Sequence, residues 1–251
     1  TGASILTNVE SHSAAILFWR SFTHWLGGMG IVVLAVAILP LLGVGGLQLI
    51  QAEAPGPTVD KITPRIAETA KIIWLIYTVF TIVETILLMC GGLNLFDALT
   101  HTFATMATGG FSTKNASVGH FDSAFVDGVV TVFMLLAGTN FILHYRLLTG
   151  RFRDVFRNGE LLVYLSIFAA ATLLATVSLY GGTYAQLGTS LRHAAFQSAS
   201  IMTTTGFAIA DYEGWPVLAQ GVLFLLMFVG GCSGSTGGGI KVIRIMILFK
   251  Q

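Results

Sequence analysis

The stretch MTTTGF at residues 202–207 decides the fold of this chain, because MATGGF stands at residues 106–111, 96 positions earlier. Met, Gly and Phe keep the same places in both copies. The first residues, TGAS at 1–4, are interpreted as the tail of a third copy, since Thr-Gly is followed by small and polar residues. Internal repeats indicate a repeated architecture, so each copy is predicted to form the same hairpin.

A Thr-rich, Gly-centred hairpin in an apolar chain suits the coordination of a desolvated monovalent cation. Such an ion needs oxygen ligands in place of its water, and backbone carbonyls and threonine hydroxyls supply them without fixed charge. Carbonyls point at one axis only in backbone conformations that glycine adopts freely. The alternative is a plain turn between helices, where glycine is equally common. Two matching copies, each after a short amphipathic segment, favour the cation site.

Composition places the chain in the membrane. Of its 251 residues 54% are hydrophobic and 10% are charged, whereas ordinary globular domains carry about 25% charged residues. This indicates a polytopic all-α membrane protein. A net charge of +1 gives no indication of a nucleic-acid partner. Cys90 and Cys232 lie in apolar runs and do not suggest a disulfide framework. Because Thr1 falls inside a hairpin motif, we expect a fragment of a longer protein.

Hydropathy predicts about five membrane-spanning helices and two complete pore half-helices that are too short to cross. The spans are predicted at 13–42, 67–90, 124–148 and 161–180, with a last one from about Val217. The half-helices are predicted at Leu95–Thr105 and Leu187–Met202. Positive residues mark the cytoplasmic side of a span, and the hairpins are therefore predicted to enter from outside. The residues used for this assignment are Lys61, Arg65, Arg146, Arg151, Arg153, Arg157, Lys241, Arg244 and Lys250.

Polar side chains inside the predicted helices have both functional and structural interpretations. Arg20 is interpreted as an arginine that extends to the lipid interface. Glu84 is a functional candidate as an intramembrane carboxylate, although pairing with a neighbouring helix explains it equally well. His101 is interpreted as a hydrogen-bonded helix residue, because no second His or Cys stands at metal-ligand spacing. Thr139 and Asn140 are expected to pair with neighbouring helices.

The run GGCSGSTGGG at 230–239 interrupts the last span. Six glycines in ten residues disfavour a helix by about 1 kcal/mol each relative to alanine. A phosphate-binding loop requires Gly-Lys-Ser/Thr, but Ile240 precedes Lys241 here, so that interpretation fails. We predict a flexible intramembrane loop that acts as a gate below the hairpins. Its residues are Gly230, Gly231, Cys232, Ser233, Gly234, Ser235, Thr236, Gly237, Gly238 and Gly239.

Four motifs together resemble a known family: FWRSFTHWLGGMG at 18–30, ATGGFST at 107–113, TTTGF at 203–207 and the stretch 230–241. The chain is similar over essentially its whole length to the TrkH subunits of bacterial Trk potassium uptake systems, within the Trk/Ktr/HKT superfamily. The resemblance implies four helix–pore-loop–helix repeats around one pore, in a homodimer. It also implies a cytosolic, nucleotide-binding, TrkA-like regulatory subunit.

The resemblance also assigns the ion filter. It places K⁺ at the carbonyls of Gly2, Gly110 and Gly206, and it makes the run 230–239 the gate loop. Some plant members carry serine at the first filter glycine and favour sodium, and Gly2 argues against that preference. The implied filter residues are Thr1, Gly2, Thr108, Gly109, Gly110, Phe111, Thr204, Thr205, Gly206 and Phe207.

On this mapping the chain divides into parts of known repeats. Residues 1–42 would be the end of repeat one, 43–66 a cytoplasmic connection and 67–150 repeat two. Residues 151–160 would be a cytoplasmic loop and 161–251 repeat three. The fourth repeat is expected to be absent, so the fragment alone should not conduct.

The predicted function is potassium uptake across the bacterial cytoplasmic (inner) membrane, with K⁺ as the transported ion, no organic cofactor and the lipid bilayer as surroundings. One alternative is a sodium-selective or sodium-coupled member of the superfamily. Another is an intramembrane enzyme, which would need a catalytic constellation. The sequence has neither HExxH nor Gly-x-Ser-x-Gly, so we expect no enzyme.

Overall fold

The computed structural model describes residues 4–30 and 66–249, and within these ranges the regular elements are helices. Two short 3₁₀ turns, Ser117–Phe121 and Tyr212–Gly214, lie in the connections. The α-helices in chain order are α1 (Ala14–Trp25), α2 (Ile66–Cys90), α3 (Leu95–Met106), α4 (Ala124–Ala137), α5 (Phe141–Leu148), α6 (Phe152–Phe156), α7 (Gly159–Leu179), α8 (Leu187–Met202), α9 (Val217–Leu226) and α10 (Val242–Leu248).

Two of these helices are long and apolar enough to cross a bilayer, α2 over Ala70–Cys90 and α7 over Gly159–Leu179. The bent pair α4 and α5 can supply a third span. Of the five predicted spans, the first continues past Gly30 into residues outside the described ranges. In the last span, α9 ends at Leu226, shortly before the glycine-rich run that was predicted to interrupt it at Gly230. Exposed leucine, isoleucine and valine side chains cover α2 and α7, as lipid-facing helices require.

The two short helices α3 and α8 are the predicted half-helices. Helix α8 has the predicted bounds, and α3 ends one residue beyond Thr105. Helix α3 begins at Leu95 because the Asn94 side chain accepts a hydrogen bond from Asp97 N, which caps the first turn. Each half-helix packs against the two helices that flank it in sequence and against one helix of the preceding repeat. Those neighbours are α1, α2 and α4 for α3, and α4, α7 and α9 for α8.

The span predicted over 124–148 is not one straight helix, because the chain bends by 101° between α4 and α5. The bend lies at residues 138–140. A Cβ atom on Gly138 would overlap the Tyr164 hydroxyl, so glycine lets α7 approach closely at this point. Asn140 then starts α5, since its side chain accepts a hydrogen bond from Ile142 N at 2.9 Å.

The first predicted helix is also not uniform. After α1, residues Leu26–Gly30 form a π-helical turn in which Gly28 has non-helical angles, φ −67° and ψ −136°. A Cβ atom on Gly28 would lie 2.8 Å from Tyr77 Oη and 3.2 Å from Ala107 Cα. Glycine at position 28 therefore allows this turn to pack closely against α2 and the first hairpin.

The arginine-rich connection 151–160 contains the short helix α6 and the start of α7, so it is not a loop throughout. Arg151, Arg153 and Arg157 are exposed. The predicted connection 43–66 lies almost entirely outside the described residues. The buried core surrounds the inner ends of the half-helices, and its largest fully buried side chains include Tyr77, Tyr164, Phe141, Phe196 and Phe207.

Candidate ion filter and the loop beneath it

The two hairpins have the same backbone conformation at corresponding residues. Thr108 and Thr204 have φ angles of 51° and 60°, and Gly110 and Gly206 have φ angles of 71° and 88°. Positive φ is uncommon for threonine, which shows that the surrounding structure holds both residues in this conformation. Glycine takes it at no steric cost. The repeat detected in the sequence is therefore a repeat of structure.

Hydrogen bonds close both hairpins in the same way. Gly109 N donates to Ala104 O at 2.8 Å, and Thr205 N donates to Ser200 O at 2.9 Å. The bonds that precede and follow correspond as well, at the same spacing of 96 residues. The last carbonyls of each half-helix thus accept hydrogen bonds from the hairpin that follows. Helix C-termini carry partial negative charge, which favours a cation at this place.

The hairpins lie side by side. A Cβ atom on Gly110 would overlap Thr205 O and would lie 3.0 Å from Gly206 C. Glycine is thus required at position 110 by contact as well as by its φ angle. A Cβ atom on Gly206 would meet nothing within 4 Å among the residues that the structure describes.

Phe111 at the end of the first hairpin lies between two side chains of α1. The ring centroid is 3.7 Å from the His24 ring and 3.7 Å from Arg20 Cζ, so the two groups cover opposite faces. His24 also fills the space beside Gly109, where any Cβ atom would overlap its ring. Helix α1 of the preceding repeat therefore holds this hairpin in place.

Arg20 contacts the hairpin, which corrects its interpretation as an arginine at the lipid interface. Its Nη1 donates to Ser112 O at 3.4 Å and its Nη2 donates to Ser4 Oγ at 3.0 Å. Stacking on Phe111 adds a cation–π interaction. Arg20 thus links Ser4, at the end of the TGAS motif, to Ser112, directly after the first hairpin. The sequence signal was its place one helical turn before His24.

Phe207 at the end of the second hairpin is completely buried and has other neighbours. Its ring stacks on His101 at 5.9 Å, and its carbonyl accepts a hydrogen bond from Ser200 Oγ at 2.6 Å. His101 is hydrogen-bonded as predicted. Its Nδ1 donates to Asp97 O at 2.7 Å, which leaves Nε2 to accept from Ser112 Oγ at 2.9 Å.

The glycine-rich loop contacts both hairpins at their threonines with positive φ. Thr108 Oγ1 donates to Thr236 O at 2.9 Å, and Gly238 N donates to Thr204 Oγ1 at 2.7 Å. The two threonines with positive φ therefore each hold one end of the same loop segment. The prediction placed the loop below the hairpins but did not identify this pairing.

The bend between α4 and α5 supplies the other partners of the loop. Cys232 N donates to Gly138 O at 2.8 Å, and Phe141 N donates to Gly234 O at 3.1 Å. Thr236 N donates to the carbonyl of Ala137 at 3.3 Å. A break in a helix frees backbone groups that must be paired within a membrane, and the loop pairs them. Asn140 thus belongs to a helix break and not to contacts between straight helices.

Two charged side chains hold the base of the loop, and the sequence analysis missed both roles. Lys241, interpreted as an inner-side surface charge, is only 5% exposed, and its Nζ donates to Gly237 O. Glu160, in the first turn of α7, accepts hydrogen bonds from Ser233 N at 2.7 Å and Ile243 N at 3.2 Å. Lys241 stands two residues after the end of the glycine run, and that proximity was the available signal.

Some expected ligands cannot be placed. Thr1 and Gly2, the predicted third hairpin, lie outside the described residues. Within residues 4–30 and 66–249, no group of three or more His, Cys, Asp and Glu side chains could hold a metal ion. Glu84 is fully buried in α2, and its carboxylate lies within reach of the side chain of Thr105 in α3.

The fold and the paired hairpins define a class of protein, the polytopic cation transporters built from helix–pore-loop–helix repeats. The family model of TrkH, described as cation transport protein, matches residues 1–158 and 161–251, and the chain belongs to this family. The localisation predicted from the sequence, a multi-pass protein of the bacterial cytoplasmic membrane, is confirmed by this membership.

Curated relatives and a solved structure agree with that membership. The chain is 46% identical over 254 residues to the Trk system potassium uptake protein TrkH of Escherichia coli K12, covering 53% of that protein. It is 48% identical over 257 residues to TrkH of Halomonas elongata, covering 52%. The crystal structure of the potassium transporter TrkH from Vibrio parahaemolyticus matches with a TM-score of 0.81 at 40% identity. That match covers 99% of this chain and 51% of the other, so the chain spans about half the length of these relatives.

Proposed function

We propose that the full-length protein carries K⁺ into the cell through a filter of backbone carbonyls, to which residues 108–111 and 204–207 contribute. The observation that carries the proposal is the contact between two hairpins of equal conformation. Carbonyl and hydroxyl oxygens replace the hydration shell of K⁺ without fixed charge. Relatives at 46% and 48% identity bear the name of potassium uptake proteins. In this filter K⁺ binds the carbonyls of Gly2, Gly110 and Gly206.

The glycine-rich loop 230–239 is the gate of this pathway. Its hydrogen bonds to Thr108 and Thr204 place it where an ion would leave the two hairpins. Conduction then requires the loop to leave both threonines. Glycines give the segment the backbone freedom that such a movement needs.

The expected partners belong to the whole protein. A homodimer and a cytosolic, nucleotide-binding, TrkA-like regulatory subunit remain predictions from the family resemblance, as does the absence of a nucleic-acid partner. The regulatory subunit would act on the gate from the arginine-rich side. Transport without catalysis is the activity proposed, in keeping with the family description as cation transport proteins.

The test is K⁺ and Na⁺ flux into liposomes that contain the full-length protein. Gly206→Ser is compared with Gly182→Ser, because neither glycine has a neighbour within 4 Å of its Cβ position in the described part of the chain. Gly182 lies outside the filter. We expect Gly206→Ser to lower the K⁺/Na⁺ flux ratio by about tenfold, which corresponds to about 1.4 kcal/mol of differential binding. Gly182→Ser should leave the ratio unchanged.

Each other outcome is decisive. An unchanged ratio in Gly206→Ser would refute the filter assignment. Equal Na⁺ and K⁺ flux in the wild type would instead place the protein among the sodium-conducting members. If neither ion moves, the TrkA-like subunit and nucleotide are added, and continued absence of flux refutes the proposed function.

A further inference from the structure

Lys241 is a cation whose side chain packs against the predicted gate loop. Its side chain is almost completely buried, and its ammonium donates to Gly237 O and contacts Ser235 Oγ at 3.5 Å. Buried lysines require such partners, since an unpaired charge in a dry interior is very unfavourable. Both ligands belong to the loop itself. The ammonium therefore draws the second half of the loop towards the start of α10.

The residue whose oxygen Lys241 holds lies beside the second hairpin. The Cβ position of Gly237 is 3.2 Å from Thr203 O, the carbonyl that precedes the second filter segment. Gly238, the next residue, donates to Thr204 Oγ1. An ammonium group and K⁺ carry the same charge and take the same kind of ligand, neutral oxygen. Lys241 thus occupies loop oxygens that a passing K⁺ could otherwise use.

Glu160 holds the loop from its other side. One carboxylate oxygen accepts from Ser233 N, inside the loop, and from Ile243 N, in the first turn of α10. Hydrogen bonds to a charged acceptor are stronger than those between neutral groups. The residue thereby ties Ser233 of the loop and the first turn of α10 to the first turn of α7. Lys241 and Glu160 lie on different helices, so the loop is held between α7 and α10.

We infer that Lys241 and Glu160 form a charged latch that keeps the glycine-rich loop closed, with the Lys241 ammonium held on the loop oxygens in place of K⁺. This inference rests on the proposed gate. The gate opens when Lys241 releases Gly237 O, and replacing the ammonium by an uncharged group of similar size favours the open loop. The latch sets how often the pore conducts and leaves ion choice to the filter.

The first test measures K⁺ flux into liposomes that hold the full-length protein without a regulatory subunit. Lys241→Met is compared with Arg244→Met, which removes the same charge from an exposed side chain one turn further along. We expect flux to rise about tenfold in Lys241→Met, with the K⁺/Na⁺ ratio unchanged, and to remain at the wild-type value in Arg244→Met. Glu160→Gln, which keeps an acceptor oxygen, should give a smaller rise. Flux in Lys241→Met at or below the wild-type value overturns the latch.

The second test does not depend on conduction. Cys232 lies in the loop and is completely buried, whereas Cys90 is exposed. With Cys90 and any further cysteines of the full-length protein replaced by alanine, a charged methanethiosulfonate reagent added from the inner side reports loop release at Cys232. We expect labelling about tenfold faster in Lys241→Met than in the wild type and in Lys241→Arg, which keeps a cationic donor. Equal rates in all three proteins refute the latch, whatever ion the filter selects.

The two tests separate the possible failures. Equal flux of K⁺ and Na⁺ through the wild-type protein would refute the proposed function. The labelling experiment would still test the latch in that case. If Lys241→Met does not fold, as judged by size-exclusion chromatography, Glu160→Gln takes its place in both experiments. Unchanged flux and labelling in that variant then overturn the inference.

Discussion

The hairpins at 106–111 and 202–207 have the same backbone conformation and differ in the side chains that fill the space around it. In the second hairpin that space is filled by Thr203 and Thr205, whose Oγ1 atoms lie 2.7 Å apart. In the first hairpin Ala107 and Gly109 stand at those positions, and the His24 ring occupies the space beside Gly109. The local sequence therefore determines the hairpin conformation, and neighbouring helices determine which side chains it tolerates.

The largest expected difference is between Gly110→Ala and Gly206→Ala. Both residues have positive φ, which costs an alanine about 1–2 kcal/mol. At Gly110 the new methyl group would also overlap the backbone of Thr205, which cannot move aside as a flexible side chain can. We expect Gly110→Ala to lower the midpoint of thermal unfolding of the full-length protein in detergent much more than Gly206→Ala. Equal midpoints would show that the two hairpins do not touch in the way described.

A double-mutant cycle tests the role of His24. Gly109→Ala should destabilise the protein because its methyl group overlaps the His24 ring. His24→Ala provides space for that methyl group, so the double variant should be more stable than the sum of the two single effects predicts. Residues in direct contact show coupling of about 0.5–3 kcal/mol. Additive effects in thermal unfolding would contradict the proposed support of the first hairpin by α1.

The smallest effect is expected for Thr205→Val. Thr203 Oγ1 donates its hydrogen to Ala199 O, so Thr205 must be the donor in the bond between the two hydroxyls. Valine keeps the shape and removes that bond, at a cost of about 1 kcal/mol in the free energy of unfolding. Thr149→Val is the matched control, since Thr149 is exposed and bonds only to its own helix. If Thr149→Val lowers the free energy of unfolding as much as Thr205→Val does, the hydrogen bond between Thr203 and Thr205 has no specific stabilising role.

The sequence could predict features that repeat or that depend on short-range pattern. The half-helix bounds followed from an amphipathic period that ends before a glycine, and the positions of the two hairpins followed from the 96-residue spacing. The break at Gly138 could not be predicted, because apolar residues continue on both sides and the partners of the freed groups lie about a hundred positions later, in the loop. The burial of Lys241 was missed for the same reason, since its ligands depend on how the loop folds.

The bend at Gly138 also has a consequence for the open pore. In the closed loop the carbonyls of Ala137 and Gly138 accept hydrogen bonds from Thr236 N and Cys232 N. Once the loop leaves, these oxygens face a low-dielectric interior and need a new partner. Water entering the pathway can supply one, and so can a cation on its way inward. In the proposed gate the closed loop and the permeating ion would thus compete for the same oxygens, which a continuous helix would keep within its own turns.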